Sequence, residues 1–359
     1  METLLEELSR TDPEAARIVD FYTKSDTADL VREADRVCRE VHGDGVWIRG
    51  LVEFDNFCER GCAYCGIRKG NANVRRYRLE PLQVVETVRE GWGAGLKSFV
   101  LQGGEDPAYS VDMFREILHG IFSFAPEAAV VLSVGIRSKR DYKALREAGA
   151  SRYLLRFETS DPALHRSLRG GIPLSRRLRA LADLREAGFE VGSGYMVGLP
   201  GETEEIRIAN ALLCRKLELD MVGIGPFIPH PDTPLGNSPQ EPIELAVHAT
   251  ALVRLLLPQA NIPATTAAGS LHKAGREKLM AAGANVLMPN LTPGSVRKDY
   301  LLYPGKICLD ESGLDCLRCL DVRTGLVNKV VRTGRGDSPS WTTRQTIGES
   351  AISFQENPS

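Results

Sequence analysis

A glycine that ends a helix, followed within a few residues by an apolar β-rich run, recurs along this sequence, and that junction restricts the fold more than any other feature. It appears as "GAGLKSFVL" from Gly93, "REAGASRYLLRF" from Arg146, "REAGFEVGSGYMVG" from Arg185 and "AAGANVLMP" from Ala281. Read on that grammar, the chain has strands near 46–53, 97–102, 128–134, 152–157, 190–197, 220–226, 261–266 and 284–289. The segments between them carry one apolar face each, such as Leu82, Val85, Val88 and Trp92, or Leu178, Leu181 and Leu184, so each can pack on a sheet. Eight such units predict an α/β fold, a (βα)8 barrel of the TIM type, with an open doubly wound sheet as the alternative.

A barrel takes roughly 250 residues. The 359 residues therefore divide into an N-terminal helical lead-in (1–44, with helices about 2–8, 13–22 and 28–42), the barrel (45–292) and a C-terminal extension (293–359). The extension carries a second group of cysteines and ends in the polar run "RTGRGDSPSWTTRQTIGESAISFQENPS", whose composition predicts a mobile tail. Lys and Arg number 45 against 47 Asp and Glu, so no overall field favours nucleic acid or an anionic membrane. The one basic stretch, "RKGNANVRRYR" from Arg68 to Arg78, reads as solvated loop charge or as help with an anionic substrate. The most apolar helix, "ALVRLLLP", is broken by Arg254 and stopped by Pro258, and "METLLEELSRTDPE" lacks an apolar h-region, so a cytoplasmic location is expected.

Barrel chemistry sits where strands end, and the first strand runs directly into "NFCERGCAYCGIRKGN". Cys58, Cys62 and Cys65 lie within eight residues without a fourth ligand nearby; His42 precedes the strand and falls at the opposite end. Structural zinc closes four ligands, whereas three thiolates can hold a [4Fe–4S] cubane whose fourth iron stays open. After the second strand comes "LQGGEDP": Gly103 and Gly104 allow close backbone approach, and Glu105 offers an acceptor for an ammonium.

Cys-x3-Cys-x2-Cys with Tyr64 before the last cysteine, followed one strand later by Gly-Gly-Glu, resembles the radical SAM superfamily. The resemblance implies a [4Fe–4S] cluster on Cys58, Cys62 and Cys65 that binds S-adenosylmethionine (SAM) and breaks it to a 5′-deoxyadenosyl radical, with Glu105 on the methionine amine. The strings "CAYCGIRKGNANVRRYR", "VLQGGEDP", "RYLLRFETSDPALHRSLR", "GYMVGLPGET", "DMVGIGPFIPHPDTPL", "IPATTA", "ANVLMPN" and "YPGKIC" are similar, over about residues 46 to 320, to the HydE family of [FeFe]-hydrogenase maturases. That likeness implies SAM contacts at Tyr64, Gly103, Gly104, Ser133, Glu158, Arg177 and Met196, with Arg156 in support. It implies a substrate side built from Met196, Thr265, Thr266, Met288, Asn290, Tyr300 and Tyr303.

The implied substrate is an iron carbonyl–cyanide complex with a cysteine ligand; the implied partners are HydG, HydF and a low-potential electron donor. The sequence departs from the family pattern at Phe157, at Gly103 and in "LSVGIRS". Phe157 should point away from Glu158 in an alternating strand, and the last change keeps a relative with another substrate open. A methylornithine synthase-like enzyme acting on a small amino-acid-type substrate is the alternative. A non-catalytic iron–sulfur carrier is a third reading, which the Gly-Gly-Glu segment opposes.

Cys308, Cys316 and Cys319 form the second group, in "CLDESGLDCLRC". It resembles the peripheral iron–sulfur site of some HydE proteins; an auxiliary [2Fe–2S] or [4Fe–4S] cluster, a zinc ion and bare thiols all stay open. Cys38 and Cys214 read as packing residues, and His230, in the Pro-rich loop, as a hydrogen-bonded structural histidine.

Overall fold

The computed structural model describes residues 1–310 and 313–355, apart from the side chains of 313–316, 318 and 348–355. Three helices lead in: α1 (Glu2–Thr11), α2 (Pro13–Lys24) and α3 (Thr27–His42). Asp12 and Asp26 cap the second and third, each carboxylate accepting a backbone N–H of the first turn.

The first barrel strand is split at Arg49 into β1 (Gly45–Ile48) and β2 (Gly50–Asp55). There follow β3 (Ser98–Gly103), β4 (Ala129–Ser133), β5 (Arg152–Leu154), β6 (Glu190–Val197) and β7 (Met221–Pro226), and β2 to β7 pair in parallel in chain order. Beyond β7 the ring is carried by single bridges, Met221 to Asn261 and Pro263 to Val286, to β8 (Val286–Leu287). Leu51 N–H donates to Pro289 O (2.8 Å) and Leu291 N–H to Leu51 O (2.7 Å), which returns the ladder to the first strand. Eight strand segments thus close into a ring.

Three of the expected strands are much shorter than read, the last, 284–289, being reduced to Val286–Leu287. Pro263 has no N–H to give and Thr265 caps the next helix, so the 261–266 run pairs only by bridges. β5 stops at Leu154, and beyond it the chain keeps to β6 only through Leu155 N–H to Gly192 O (2.9 Å) and Glu158 N–H to Gly194 O (3.0 Å), with Glu158 at a φ of 69°. The four glycines of the repeated junction, Gly95, Gly149, Gly188 and Gly283, all have positive φ (94°, 108°, 83° and 98°), a conformation costly for any residue with a Cβ.

Along each strand, side chains alternate between two apolar layers. Val52, Phe54, Phe99, Leu101, Val130 and Leu132 face the surrounding helices. Leu51, Val100, Val131 and Met221 fill the barrel interior together with Leu154 and Met288. Each such buried Val, Leu or Phe contributes about 1.5–3 kcal/mol, so the interior layer is a packed plug under the mouth.

The helices on the outside include α4 (Pro81–Gly93), α5 (Val111–Phe122), α6 (Lys139–Glu147), α7 (Pro162–Leu168), α8 (Leu174–Glu186), α9 (Glu204–Lys216) and α10 (Glu244–Leu256). The shorter α11 (Thr266–Leu271), α12 (Gly275–Ala281) and α13 (Gly294–Arg297) lie before and after the last strand, and α14 (Gly313–Gly325) and α15 (Pro339–Gln355) in the extension. Among the described residues no helix is long and apolar enough to cross a membrane.

The extension returns to the barrel. Its β9 (Val330–Arg332) pairs in parallel with β1, and residues 334–340 then cover the N-terminal floor. Arg152, with no side-chain exposure, meets Glu190 (2.5 Å), Ser98 Oγ (2.9 Å), Arg335 O (2.7 Å) and Asp337 (2.6 Å). Gly336 O accepts from Arg49 and Asn261, and Asp220 accepts from Ser340 and Arg344. The first part of the polar run is thus docked as a seal, while its far end, 356–359, with the side chains of 348–355, lies outside the described residues.

Candidate active site

Cys58, Cys62 and Cys65 share the wall of a cavity of about 250 Å³ at the C-terminal mouth. Their loop is held by hydrogen bonds to its backbone as well as by apolar packing of Tyr64 and Ile67. Arg76 donates to the carbonyls of Asn56 (2.5 Å), Ile67 (2.8 Å), Arg68 (2.8 Å) and Asn71 (3.3 Å), so at least one charge of the basic stretch is a loop tie. Ala63 N–H donates to Leu168 O (2.8 Å), docking the end of α7 against the loop. Glu105 N–H points at Cys58 Sγ (3.4 Å).

Gly104 makes that contact possible: a Cβ there would lie 1.8 Å from Phe57 O. Gly135, in the run that departs from the family pattern, has φ 77°, and a Cβ on it would lie 1.9 Å from Glu105 Cγ. Gly104 thus makes room for the cysteine loop, and Gly135 for the Glu105 side chain. Three guanidinium groups converge on it: Arg60 (2.7 Å), Arg169 (2.8 Å) and Arg177 (3.2 Å). Arg169 also donates to Tyr64 Oη (3.1 Å), which links the cysteine loop to Glu105.

Across the cavity, Arg156 and Glu158 stand 2.9 Å apart as an ion pair without the alignment of a hydrogen bond. Arg156 Nε and Nη2, Glu158 Oε2 and Arg169 Nε are buried and lack hydrogen-bond partners. Such atoms cost stability unless a ligand satisfies them. Phe157 turns away and stacks on Tyr195 (5.9 Å between centroids), as strand alternation predicts.

The donor set suits a cubane better than a single ion. Among the described residues no three His, Cys, Asp or Glu side chains converge on one metal position. Tetrahedral zinc requires such convergence, while a [4Fe–4S] cluster puts each thiolate on its own iron. Burial raises the Cys58, Cys62 and Cys65 thiols above the usual range, with neighbouring thiols adding at Cys65, so thiolates here need cationic partners such as iron. His42 lies away from them, held by Pro258 O (3.0 Å) and Arg254 (2.9 Å); burial and that cation push it down to about 3.

Of the expected residues, Tyr64, Gly103, Gly104, Glu105, Ser133, Arg156, Glu158, Arg177, Met196, Thr265, Tyr300 and Tyr303 line the cavity with the three cysteines. Thr266, Met288 and Asn290 do not. Thr266 is the first residue of α11, Met288 packs in the interior apolar layer, and Asn290 donates to Glu53 Oε2 (3.0 Å) in a buried polar cluster. Position near a strand end does not say which layer of the barrel a side chain occupies.

Arg60, Gln102, Gly135 and Arg169 line the cavity without having been expected. Arg60 stands between two of the cysteines in sequence, the one signal that would have found it. In the second cysteine group, Cys308 has φ 62° with Arg276 3.5 Å from its sulfur, and Cys319 is exposed; the side chain of Cys316 lies outside the described residues.

Comparison with known proteins agrees with this geometry. Residues 52–212 match the radical SAM superfamily. The [FeFe] hydrogenase maturase subunit HydE of Thermotoga maritima is 44% identical over 320 residues, 89% of this chain and 90% of that protein. The 3-methylornithine synthase of Methanosarcina acetivorans is 26% identical over 80% of this chain and 81% of its own length. Among solved structures, methylornithine synthase (PylB) aligns with a TM-score of 0.78 at 23% identity, over 93% of this chain and 96% of that one. The maturase HydG from Carboxydothermus hydrogenoformans aligns at 0.73 and 20% identity, over 92% of this chain and 82% of its own. At these identities the structural matches speak to the fold.

Proposed function

Because the chain belongs to the radical SAM superfamily and, within it, to the HydE family, we propose that it acts in maturation of the [FeFe]-hydrogenase H-cluster, on a mononuclear iron carbonyl–cyanide complex bearing a cysteine ligand. The observation that carries the reading is one cavity shared by the three thiols, Glu105 and Arg156, whose Nε and Nη2 make no hydrogen bond.

Cys58, Cys62 and Cys65 would hold a [4Fe–4S] cluster, and the chemistry it would supply is one-electron reductive cleavage of SAM to methionine and a 5′-deoxyadenosyl radical. The chain's own residues bind and orient. Glu105 accepts the methionine ammonium, and Arg177, now beside it, is a planar donor for the methionine carboxylate. Glu158 Oε2 and Ser133 serve the ribose side. Tyr64 and Met196 exclude water from the cleavage site. Arg156 Nε and Nη2 remain as donors for a carboxylate or cyanide of the substrate, which Thr265, Tyr300 and Tyr303 enclose.

On this reading HydG supplies the substrate, HydF receives the product, a low-potential donor feeds the cluster, and the work is done in the cytoplasm. Cys308, Cys316 and Cys319 would carry an auxiliary cluster, so Cys319→Ala should lower bound iron by about two to four per chain with SAM cleavage largely kept.

Anaerobic reconstitution with SAM and a reductant should yield 5′-deoxyadenosine, and the protein should replace authentic HydE in an in vitro hydrogenase maturation assay. Cleavage of SAM without rescue of maturation would move the reading to a methylornithine synthase-like reaction, the alternative that the 26% identical relative favours.

A further inference from the structure

Between the last barrel strand and the second cysteine group, residues 300–307 cross the mouth as a strap. Its middle is tied to the cysteine loop, where Gly66 N–H donates to Leu302 O (2.9 Å); a Cβ on Gly66 would lie 2.1 Å from Leu301 O. Its end is tied to α11, where Ile307 N–H donates to Ser270 Oγ (3.2 Å). Tyr300 and Tyr303, both on the strap, form part of the cavity wall.

The third tie is of a different kind. Lys306 reaches into the barrel with 5% of its side chain exposed and donates to both oxygens of Glu53 (2.5 and 2.6 Å) and to Tyr300 O (3.1 Å). An ammonium has three N–H groups, and all three are used. Glu53 belongs to β2 with 2% exposure and is paired in register with Gln102, which lines the cavity and donates to Tyr300 Oη (3.3 Å). Asn290 completes the carboxylate's partners (3.0 Å). A buried ion pair is a weak source of net stability, but it fixes register strictly, because a slip leaves two bare charges.

We propose that Glu53 and Lys306 are positioning residues for the substrate side of the cavity: their ion pair pins the strap so that Tyr300 and Tyr303 stand as a fixed wall. Neither residue touches the cysteines, and the geometric part of the proposal is independent of which substrate the cavity takes; only the kinetic part rests on the proposed maturation substrate.

The test uses the full chain. Lys306→Met alone strands the Glu53 charge and invites misfolding, so the informative variant is Glu53→Gln with Lys306→Met, which removes both charges at similar volume. Hydrogen–deuterium exchange read by mass spectrometry should accelerate about tenfold or more across residues 300–307, with the remaining barrel and the melting temperature little changed. In the maturation assay the KM for the iron complex should rise about tenfold while substrate-free SAM cleavage stays within about twofold. Lys306→Arg, which keeps the charge, should restore protection of the strap. Wild-type exchange across 300–307 in the double variant would overturn the proposal; accelerated exchange with an unchanged KM would keep the pin and overturn the substrate assignment.

Discussion

Arg152 and Arg156 lie four residues apart on one run of chain, at positions of the same inward parity, and are treated in opposite ways. Arg152, at the floor, has every nitrogen matched to a partner: Glu190, Ser98, Arg335 O and Asp337. Arg156, at the mouth, keeps Nε and Nη2 buried without hydrogen bonds and sits beside a carboxylate in a strained conformation. The floor spends its charges on closing the fold, and the mouth leaves one guanidinium edge without hydrogen bonds. This is the division of labour expected of a TIM-type barrel, here within five residues of β5 and the segment that follows it.

The comparison can be broken from either end. The largest effect is expected at the mouth: Cys62→Ala should reduce 5′-deoxyadenosine to background and leave the melting temperature of the cluster-free protein little changed. A large fall in that melting temperature would make the loop structural.

Next comes the floor. Arg152→Met leaves Glu190 buried without its cation and Asp337 with Arg335 alone, and should cost about 3–5 kcal/mol by denaturant unfolding, whereas Arg156→Met should cost less than about 1 kcal/mol and act on turnover instead. Similar losses in the two variants would erase the distinction.

The smallest effect concerns pH. Burial by itself raises Asp337, but Arg152 and Arg335 beside it outweigh that and hold its carboxyl below the ordinary 3.8. A depressed carboxyl contributes stability that is present above its unfolded value and lost as pH falls through the lower folded one. Asp337→Asn should therefore destabilise the protein near neutrality and flatten the loss of stability below about pH 3.8, read by thermal melts across pH.

What the sequence made legible was local. The glycine junctions, the cysteine loop and the Gly-Gly-Glu turn each carry their chemistry within a dozen residues, and the structure keeps all of them at the expected ends of strands. What it hid was partnership across the chain. Lys306 finds Glu53 at a separation of 253 residues, and Arg169 finds Glu105 at 64, so nothing in either neighbourhood announces the pair. Met288 and Asn290 show the same limit on a finer scale. Both lie near the end of the last strand, yet one belongs to the apolar layer below the cavity and the other to the buried cluster around Glu53. The start of the polar run gives no local sign of its docking, because its carbonyls and carboxylate answer charges carried by distant strands.

The floor has a consequence for biosynthesis. Arg152 meets Asp337 only 185 residues further along the chain, so on a ribosome the strands of the barrel emerge while their deepest guanidinium still lacks its counter-charge. Nascent chains fold from the N-terminus as they are made, and here a segment translated long after Arg152 is the one that seals the floor. A premature stop shortly before Gly334 would spare all the cysteines and the whole mouth, and still release a barrel with an open bottom.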